Sequence, residues 1–412
     1  MSLKITNVTL PDRKGNWNIK IDSGYITNIS AKPIVESVDK TLDGQGKLLI
    51  PGFVDPHIHL DKALLLERYP AVEGTFTEAL HKTLQAKQEY TIADIQSRAR
   101  KVITKAIAFG TTTMRTHVEV DPILGLKSME ALLPLKKEYA WGVTIQLAVF
   151  AQEGITNQPE TLDLLIQAME MGGDVIGSAP YVDQNPAENI RLVFDLAQKF
   201  DCDIDFHLDF LDDDAPLLLP LVIEETLKRN WHNRVCLGHM TKLAGLTPEK
   251  LTSFIPLLQA SGIAILALPA TDLYMMARRD THNVRRGIAP IHVLAEAGVK
   301  VGLATNNVQN LFTPFGDGDI LKICTLLAQV LQLGTIKSHQ LCLEMATIRA
   351  AQAIGVNNYG IEVGNVADLV LLEADSVSNA IATATVNRIV IKQGKITAQT
   401  NSLTSFKEEI KS

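Results

Sequence analysis

LIPGFVDPHIHLDK, residues 49–62, sets an apolar run (Leu49, Ile50, Phe53, Val54) ahead of Asp55-Pro56 and then presents His57 and His59 two positions apart. On an extended strand, residues i and i+2 point to the same side, so both imidazoles face one cavity. A strand end built this way offers two nitrogen ligands to one metal ion, and neutral imidazole is the commonest ligand for zinc and its first-row relatives. The other reading of an isolated His-x-His is a pair of surface histidines on a loop. The apolar strand in front of the pair favours a metal, whose remaining ligands must come from elsewhere in the chain.

Outward from this stretch the chain has two grammars. Residues 3–29 alternate apolar and polar positions with turns at Lys14-Gly15-Asn16 and Asp22-Ser23-Gly24, which predicts short antiparallel strands. Residues 367–372 (ADLVLL), 386–392 (VNRIVIK) and Ile396 repeat that style. A small β-domain assembled from both termini, residues 1–50 plus 361–400, is therefore expected, with a second domain, residues 51–360, inserted between its halves. The polar tail after Thr397 is expected to fray. In the inserted part, β-branched or apolar runs (112–118, 143–150, 175–179, 203–208, 235–239, 264–268, 301–305) alternate with amphipathic segments (92–109, 161–171, 190–200, 248–260, 290–297). With the strand that carries His57 there are eight such units and no Gly-rich dinucleotide turn. The fold class is thus α/β, a (β/α)8 TIM barrel with a small β-sandwich domain. Residues 320–354 read as two further helices.

Composition narrows the function. A chain of 412 residues, 46% hydrophobic and 21% charged, is that of an ordinary globular protein large enough for a barrel with an appendage. A net charge of −7 without a long basic run argues against nucleic acid or an anionic membrane as partner and for a small molecule. The amino-terminal MSLKITNVTLPDRKG lacks a signal-peptide core and no run of about 18 apolar residues occurs, so a cytoplasmic location is expected. Cys202, Cys236, Cys324 and Cys342 match no zinc-ribbon spacing and are read as reduced, buried residues.

Barrels of this kind carry their chemistry at the carboxyl ends of the strands. Strand one ends in His57 and His59, strand five (DIDFHLDF) in His207 and Asp209, strand six (VCLGHM) in His239, and strand eight (VGLATNN) in Thr305, Asn306 and Asn307. Each histidine alone has a structural reading. Together, four of them reach one rim from three strands. Three imidazoles leave open positions on a metal, where a water can be acidified to a pKa of about 7.

The motifs PGFVDPHIHLDK (51–62), MRTHVEV (114–120), AVFAQEGI (148–155), FHLDFLDDD (206–214), GHM (238–240), RRGI (285–288) and NYGIEVGNVADLVLL (358–372) run through almost the whole chain. In these the sequence resembles the amidohydrolase superfamily, in the branch of bacterial cytosine deaminase and N-isopropylammelide hydrolase. The resemblance implies that His57, His59 and His207 hold a single divalent ion, iron or zinc. It implies also that His239 hydrogen-bonds the activated water or the forming oxyanion, and that Gln152 grips an amide edge of a nitrogen heterocycle. Two departures fall on the chemistry. The deaminases carry His-x-Asp-Glu, and Phe210 stands at the glutamate; the superfamily places an aspartate on strand eight, and Asn306 stands there. A phenyl ring cannot move a proton and a carboxamide is no general base near pH 7.

Other residues are candidates for those roles. Asp209 is read as a replacement base or as a carboxylate that orients a ligand imidazole. Asp61 and Lys62 follow the first histidine pair, and Lys62 recurs in the ammelide-hydrolase branch; the alternative is a surface ion pair. Glu153, Asp272, Arg278 and Arg279 are candidate rim groups, or merely solvated. His117 is read as a pocket or structural residue, and Gly74, Gly316 and Gly318 suggest mobile loops over the mouth. The expected function is a metal-dependent hydrolase of a C–N bond, deaminase or amidohydrolase, acting on a small cyclic nitrogen compound. The alternatives are a catalytically degenerate homologue that binds a small ligand and a hydrolase of another bond such as an ester or halide. Self-association into a homo-oligomer is left open.

Overall fold

The computed structural model describes residues 2–210 and 213–405. The amino-terminal strands are β1 (Ser2–Leu10), β2 (Arg13–Asp22), β3 (Tyr25–Ser30), β4 (Lys40–Asp43) and β5 (Leu48–Pro51). The barrel strands are β6 (Phe53–Ile58), β7 (Thr111–Glu119), β8 (Thr144–Ala151), β9 (Val175–Ser178), β10 (Asp203–Leu208), β11 (Val235–His239), β12 (Ala264–Ala267) and β13 (Lys300–Leu303). Three more follow, β14 (Leu369–Leu372), β15 (Arg388–Lys392) and β16 (Lys395–Thr400).

Strands β6 to β13 pair in parallel and in sequence order. The ring closes where Asn306 N–H donates to His57 O (2.8 Å) and His59 N–H donates to Asn306 O (2.9 Å). Closure is thus made by the residues that carry the chemistry. The period of two is visible in β10: Ile204, Phe206 and Leu208 join the outer apolar layer, while Asp205 and His207 face the barrel axis. In β7, Met114 and Val118 pack outward and Arg115, His117 and Glu119 inward. The surrounding helices follow amphipathic spacing. In the helix Ile92–Ala108, capped by the Thr91 side chain, the buried residues Ile95, Ala99, Val102, Ile103, Ala106 and Ile107 form one stripe. Residues 320–354 form three helices instead of the expected two, Ile320–Val330, Ile336–Met345 and Ile348–Ala353, because a capping box at Thr335 restarts the chain and Thr347 leaves helical geometry.

The terminal strands hydrogen-bond in the order β16-β15-β14-β5-β1-β2-β3, with β4 also on β1. Most pairs are antiparallel as expected, but β1 runs parallel to both β4 and β5. The sheet is curled. A Cβ built on Gly24, in the β2–β3 turn, would lie 3.3 Å from the Gln393 carbonyl in the β15–β16 turn. In a flat sheet five strand spacings would hold those turns roughly 24 Å apart. Leu3, Ile5, Ile19, Ile21, Leu49, Leu369, Leu371 and Ile391 fill the shared interior.

The opening apolar run splits at Gly52: Leu48–Pro51 belong to the terminal sheet and Phe53–Ile58 to the barrel. A Cβ at Gly52 would meet the Thr112 side chain at 2.4 Å, so only glycine passes between the two. Buried polar ties reinforce the junction. Arg388 makes a two-pronged pair with Asp319 (2.8 and 2.7 Å), and Lys392 bonds Asp368 (2.6 Å) and the Thr112 carbonyl (2.8 Å). β16 continues past Thr397 to Thr400, and the end of the tail expected to fray lies outside the described residues. Among the described residues no helix is long and apolar enough to cross a membrane. All four cysteines are free and buried.

Candidate active site

The imidazoles of His57 and His59 each bring Nε2 to 3.1 Å from Nε2 of His207, and all three residues are buried. Burial drives their pKa values well below the usual histidine range, so they are neutral and carry lone pairs. One nitrogen flanked at that distance by two others cannot satisfy both with one proton. Two nitrogens bound at about 2.0–2.1 Å to a tetrahedral ion stand ~3.3 Å apart, so the spacing suits a shared cation. The carboxamide of Asn306 points the same way: neither its oxygen nor its nitrogen has a hydrogen-bond partner, although both are buried. The donor set therefore fits a divalent ion.

The candidate ligand rings are held from behind. Arg115, His117 and Asp205 form a layer deeper in the barrel, with Arg115 Nη1 3.0 Å and His117 Nε2 3.3 Å from Asp205. Burial works to raise the Asp205 pKa, but His117, His57 and Arg115 outweigh it and keep the carboxylate ionised. The His117 ring lies 3.9 Å from that of His57. Gly238 lets the His57 ring approach β11, where a Cβ would come within 2.9 Å of Cε1.

His239, at the end of β11, shares a 2.7 Å hydrogen bond between Nδ1 and Asp272 Oδ1, and the other Asp272 oxygen accepts from Leu268 N–H (3.0 Å). That contact occupies Nδ1 and leaves Nε2 for the cavity that His239 lines. Asp272 is fully buried and so is not the rim group expected from its position after β12. Phe210 lies against His239, ring centroids 4.0 Å apart, and belongs to an aromatic cluster with Phe76, Tyr181 and Phe312.

Gln152 and Asn306 line the same cavity as His59, His207 and His239, whereas Asp209 does not. Strand alternation alone would aim Asp209 beside His207. Its φ of +47° ends the strand instead, and both carboxylate oxygens accept backbone N–H groups, from Leu218 (2.9 Å) and Leu219 (3.1 Å). These bonds anchor the start of the next helix. Lys62 and Asp61 are no surface pair. Lys62 is 2% exposed and bonds Glu119 and Gln152 Oε1 (3.0 Å), and Asp61 accepts from Glu119 N–H (2.8 Å). Glu153 is likewise turned inward, 2.6 Å from Lys87, which also meets Glu119 (2.7 Å) and Asp121 (2.9 Å). The cavity that Gln152 and Asn306 line is tight, about 10 Å³, room for about one water molecule.

Sequence reading missed the His239–Asp272 pair, the Lys62–Glu119–Lys87 chain and the aromatic roof. Asp272 had a signal, since it lies five residues after the end of β12. Lys87 had none: it sits in the last turn of the helix Phe76–Glu89 and meets its partners only through the fold.

Known proteins agree with this geometry. The model of the amidohydrolase family matches residues 40–398. The chain is 31% identical over 402 residues to N-isopropylammelide isopropyl amidohydrolase of Pseudomonas sp. (strain ADP), covering 96% of each chain. It is 26% identical over 403 residues to pterin deaminase of Rhizobium rhizogenes, covering 96% of this chain and 91% of that one. The solved structure of 5-methylcytosine deaminase from Klebsiella pneumoniae with 5-fluorocytosine superposes with a TM-score of 0.91 at 31% identity, covering 98% of this chain and 99% of that one. The chain therefore belongs to the amidohydrolase family, in the branch of cytosine deaminases and N-isopropylammelide hydrolases, and is a hydrolase of carbon–nitrogen bonds other than peptide bonds.

Proposed function

We propose that this hydrolase cleaves one C–N bond of a small cyclic nitrogen compound, using a single zinc or iron ion held by His57, His59 and His207. The observation that carries the reading is the meeting of three neutral imidazoles with an unpartnered Asn306 carboxamide at the carboxyl rim of the barrel. Relatives named for N-isopropylammelide, pterin and 5-methylcytosine, all nitrogen rings, support the substrate class. When bound, a divalent ion at such a site acidifies water and polarises the carbon under attack.

The acid–base groups are rearranged relative to cytosine deaminase. Asn306 orients water by hydrogen bonding and takes no proton. His239 is the proton carrier: Asp272 holds Nδ1, so Nε2 accepts a proton from the attacking water and returns it to the departing nitrogen. Phe210 excludes water on that side where a carboxylate would otherwise shuttle protons. Gln152 aligns the ring.

Phe210 and Asn306 also motivate a second reading, a degenerate relative that binds a ring without transforming it. The readings part on turnover, and a protein that binds no metal favours the second. Hydrolysis of any member of a panel of nitrogen heterocycles by metal-loaded protein, lost in His57→Ala, supports the first. A fully loaded protein inert across the panel supports the second.

A further inference from the structure

Asn306 is fixed where the barrel closes. Its N–H donates to His57 O (2.8 Å), its carbonyl accepts from His59 N–H (2.9 Å), and its φ of +62° is left-handed. The residue is 1% exposed and lines the same cavity as His59, His207 and His239, yet neither Oδ1 nor Nδ2 has a partner among the described residues. A buried amide left so is unfavourable. Its neighbours Asn307 and Asn310 differ, because their carboxamides are engaged. Asn307 Nδ2 donates to Thr271 (3.4 Å) and its Oδ1 accepts from Asn310 (2.7 Å), while Asn310 Oδ1 accepts from the N–H groups of Phe312 (3.0 Å) and Thr313 (3.1 Å).

The cavity has room for about one water molecule. A water there lies beside the imidazoles that fit a divalent ion, and such an ion, when bound, acidifies water. It lies also beside His239, whose Nδ1 is held by Asp272, so that Nε2 carries protons. The chain belongs to hydrolases of C–N bonds other than peptide bonds. With no substrate in the cavity, the bond of that kind nearest such a water is the chain's own Cγ–Nδ2 bond of Asn306.

We propose that Asn306 is a self-modification site, at which the protein hydrolyses its own carboxamide and replaces asparagine by aspartate. The water oxygen adds to Cγ while His239 Nε2 takes one of its protons. That proton passes to Nδ2, the Cγ–Nδ2 bond breaks, and ammonia leaves behind a carboxylic acid that ionises. Water is the co-reactant and nothing is oxidised or reduced. The new carboxylate gains an opposite charge where the amide had no partner, and it supplies strand eight with a base that asparagine lacks. This goes beyond the reading under Proposed function, which concerns Asn306 as encoded, and shares with it the metal site and His239.

The test is peptide mapping of full-length protein produced in chelated medium, before and after addition of zinc or ferrous iron. Asparagine is expected at position 306 before addition and aspartate after it, with one ammonia released per chain converted, at least about 10²-fold faster than without metal. His239→Ala should slow the conversion by about 10²- to 10⁴-fold with metal content unchanged. The unloaded parent chain is itself a control, so the comparison stands even where the variant does not fold. Ordinary deamidation proceeds by attack of the following backbone nitrogen and yields isoaspartate beside aspartate. Asparagine kept in loaded protein, no uptake of either metal, equal conversion with and without metal, an isoaspartate mixture, equal conversion of Asn307 and Asn310, or a parent rate in folded, loaded His239→Ala each overturns the proposal. Nitrogen-ring turnover on the same samples separates the two readings: turnover with asparagine intact refutes this proposal alone, and conversion without turnover supports it while refuting the proposed reaction.

Discussion

Gly238→Ala tests whether the three imidazoles are held for a metal. Gly238 stands opposite His207 in the β10–β11 register, and a Cβ there would sit 2.9 Å from His57 Cε1 and 3.0 Å from Nδ1. Ordinary contact requires the ring to withdraw by about 0.5 Å. The His117 ring, its centroid 3.9 Å from that of His57, limits the room for that shift. Metal–ligand distances tolerate only about ±0.2 Å, so a displacement of that size degrades the site. The expected loss is about 10- to 100-fold in zinc affinity, the range seen when groups supporting a metal ligand are disturbed. Overpacking should also cost ~1–3 kcal/mol in the metal-free protein. Chelator competition with elemental analysis measures the first and thermal melting the second. Gly245→Ala is the control, since a Cβ there meets nothing within 4 Å. A Gly238→Ala protein that holds zinc as tightly as the parent would refute the claim that His57 is positioned by this packing to ligate an ion.

Three further outcomes are expected. Asp272→Asn should lower kcat by about 10²- to 10⁴-fold with metal content unchanged, because an amide cannot accept from both Leu268 N–H and His239 Nδ1–H; steady-state kinetics on any turned-over ring would show it. The double variant Phe210→Glu with Asn306→Asp should raise cytosine deamination by about 10²-fold or more, measured by ammonia release, and lower the melting temperature by burying a carboxylate in the aromatic cluster. Glu78 accepts from the N–H groups of Val72 (2.7 Å), Glu73 (2.8 Å) and Gly74 (2.7 Å), and these bonds, Val72 first, together with the Lys82 ammonium (2.9 Å) hold its carboxyl down at about 2. A depressed carboxylate stabilises above its ordinary value of 4.5 and ceases to do so as pH falls towards 2. Limited proteolysis of the 70–75 segment should therefore accelerate in acid for the parent protein and already at neutral pH for Glu78→Gln.

The barrel was legible because its strands obey local rules: DIDFHL reads outward at Ile204, Phe206 and Leu208 and inward at Asp205 and His207, as the fold has it. The same rule misplaced Asp209, where a single left-handed residue ends the alternation. Local pattern carries no information on that dihedral. The convergence of His57, His59, His207 and His239 followed from their shared place at strand ends. The ion-pair chain from Lys62 to Lys87 did not, since its members are separated by loops and helices whose approach only packing defines. Phe76 and Phe312 escaped notice for a related reason: in sequence they are ordinary apolar residues, and only their ring of neighbours makes them a roof.

The passage of the chain through Gly52 bears on engineering. Modules joined by a tether can be exchanged by cutting at the tether, but here Gly52 alone separates the last pairing of β5 from the first of β6, which leads into the histidine pair. A chimera that grafts this barrel onto a foreign sheet must keep the glycine and also the Arg388–Asp319 clasp on the return path, or the leading histidine will arrive out of register.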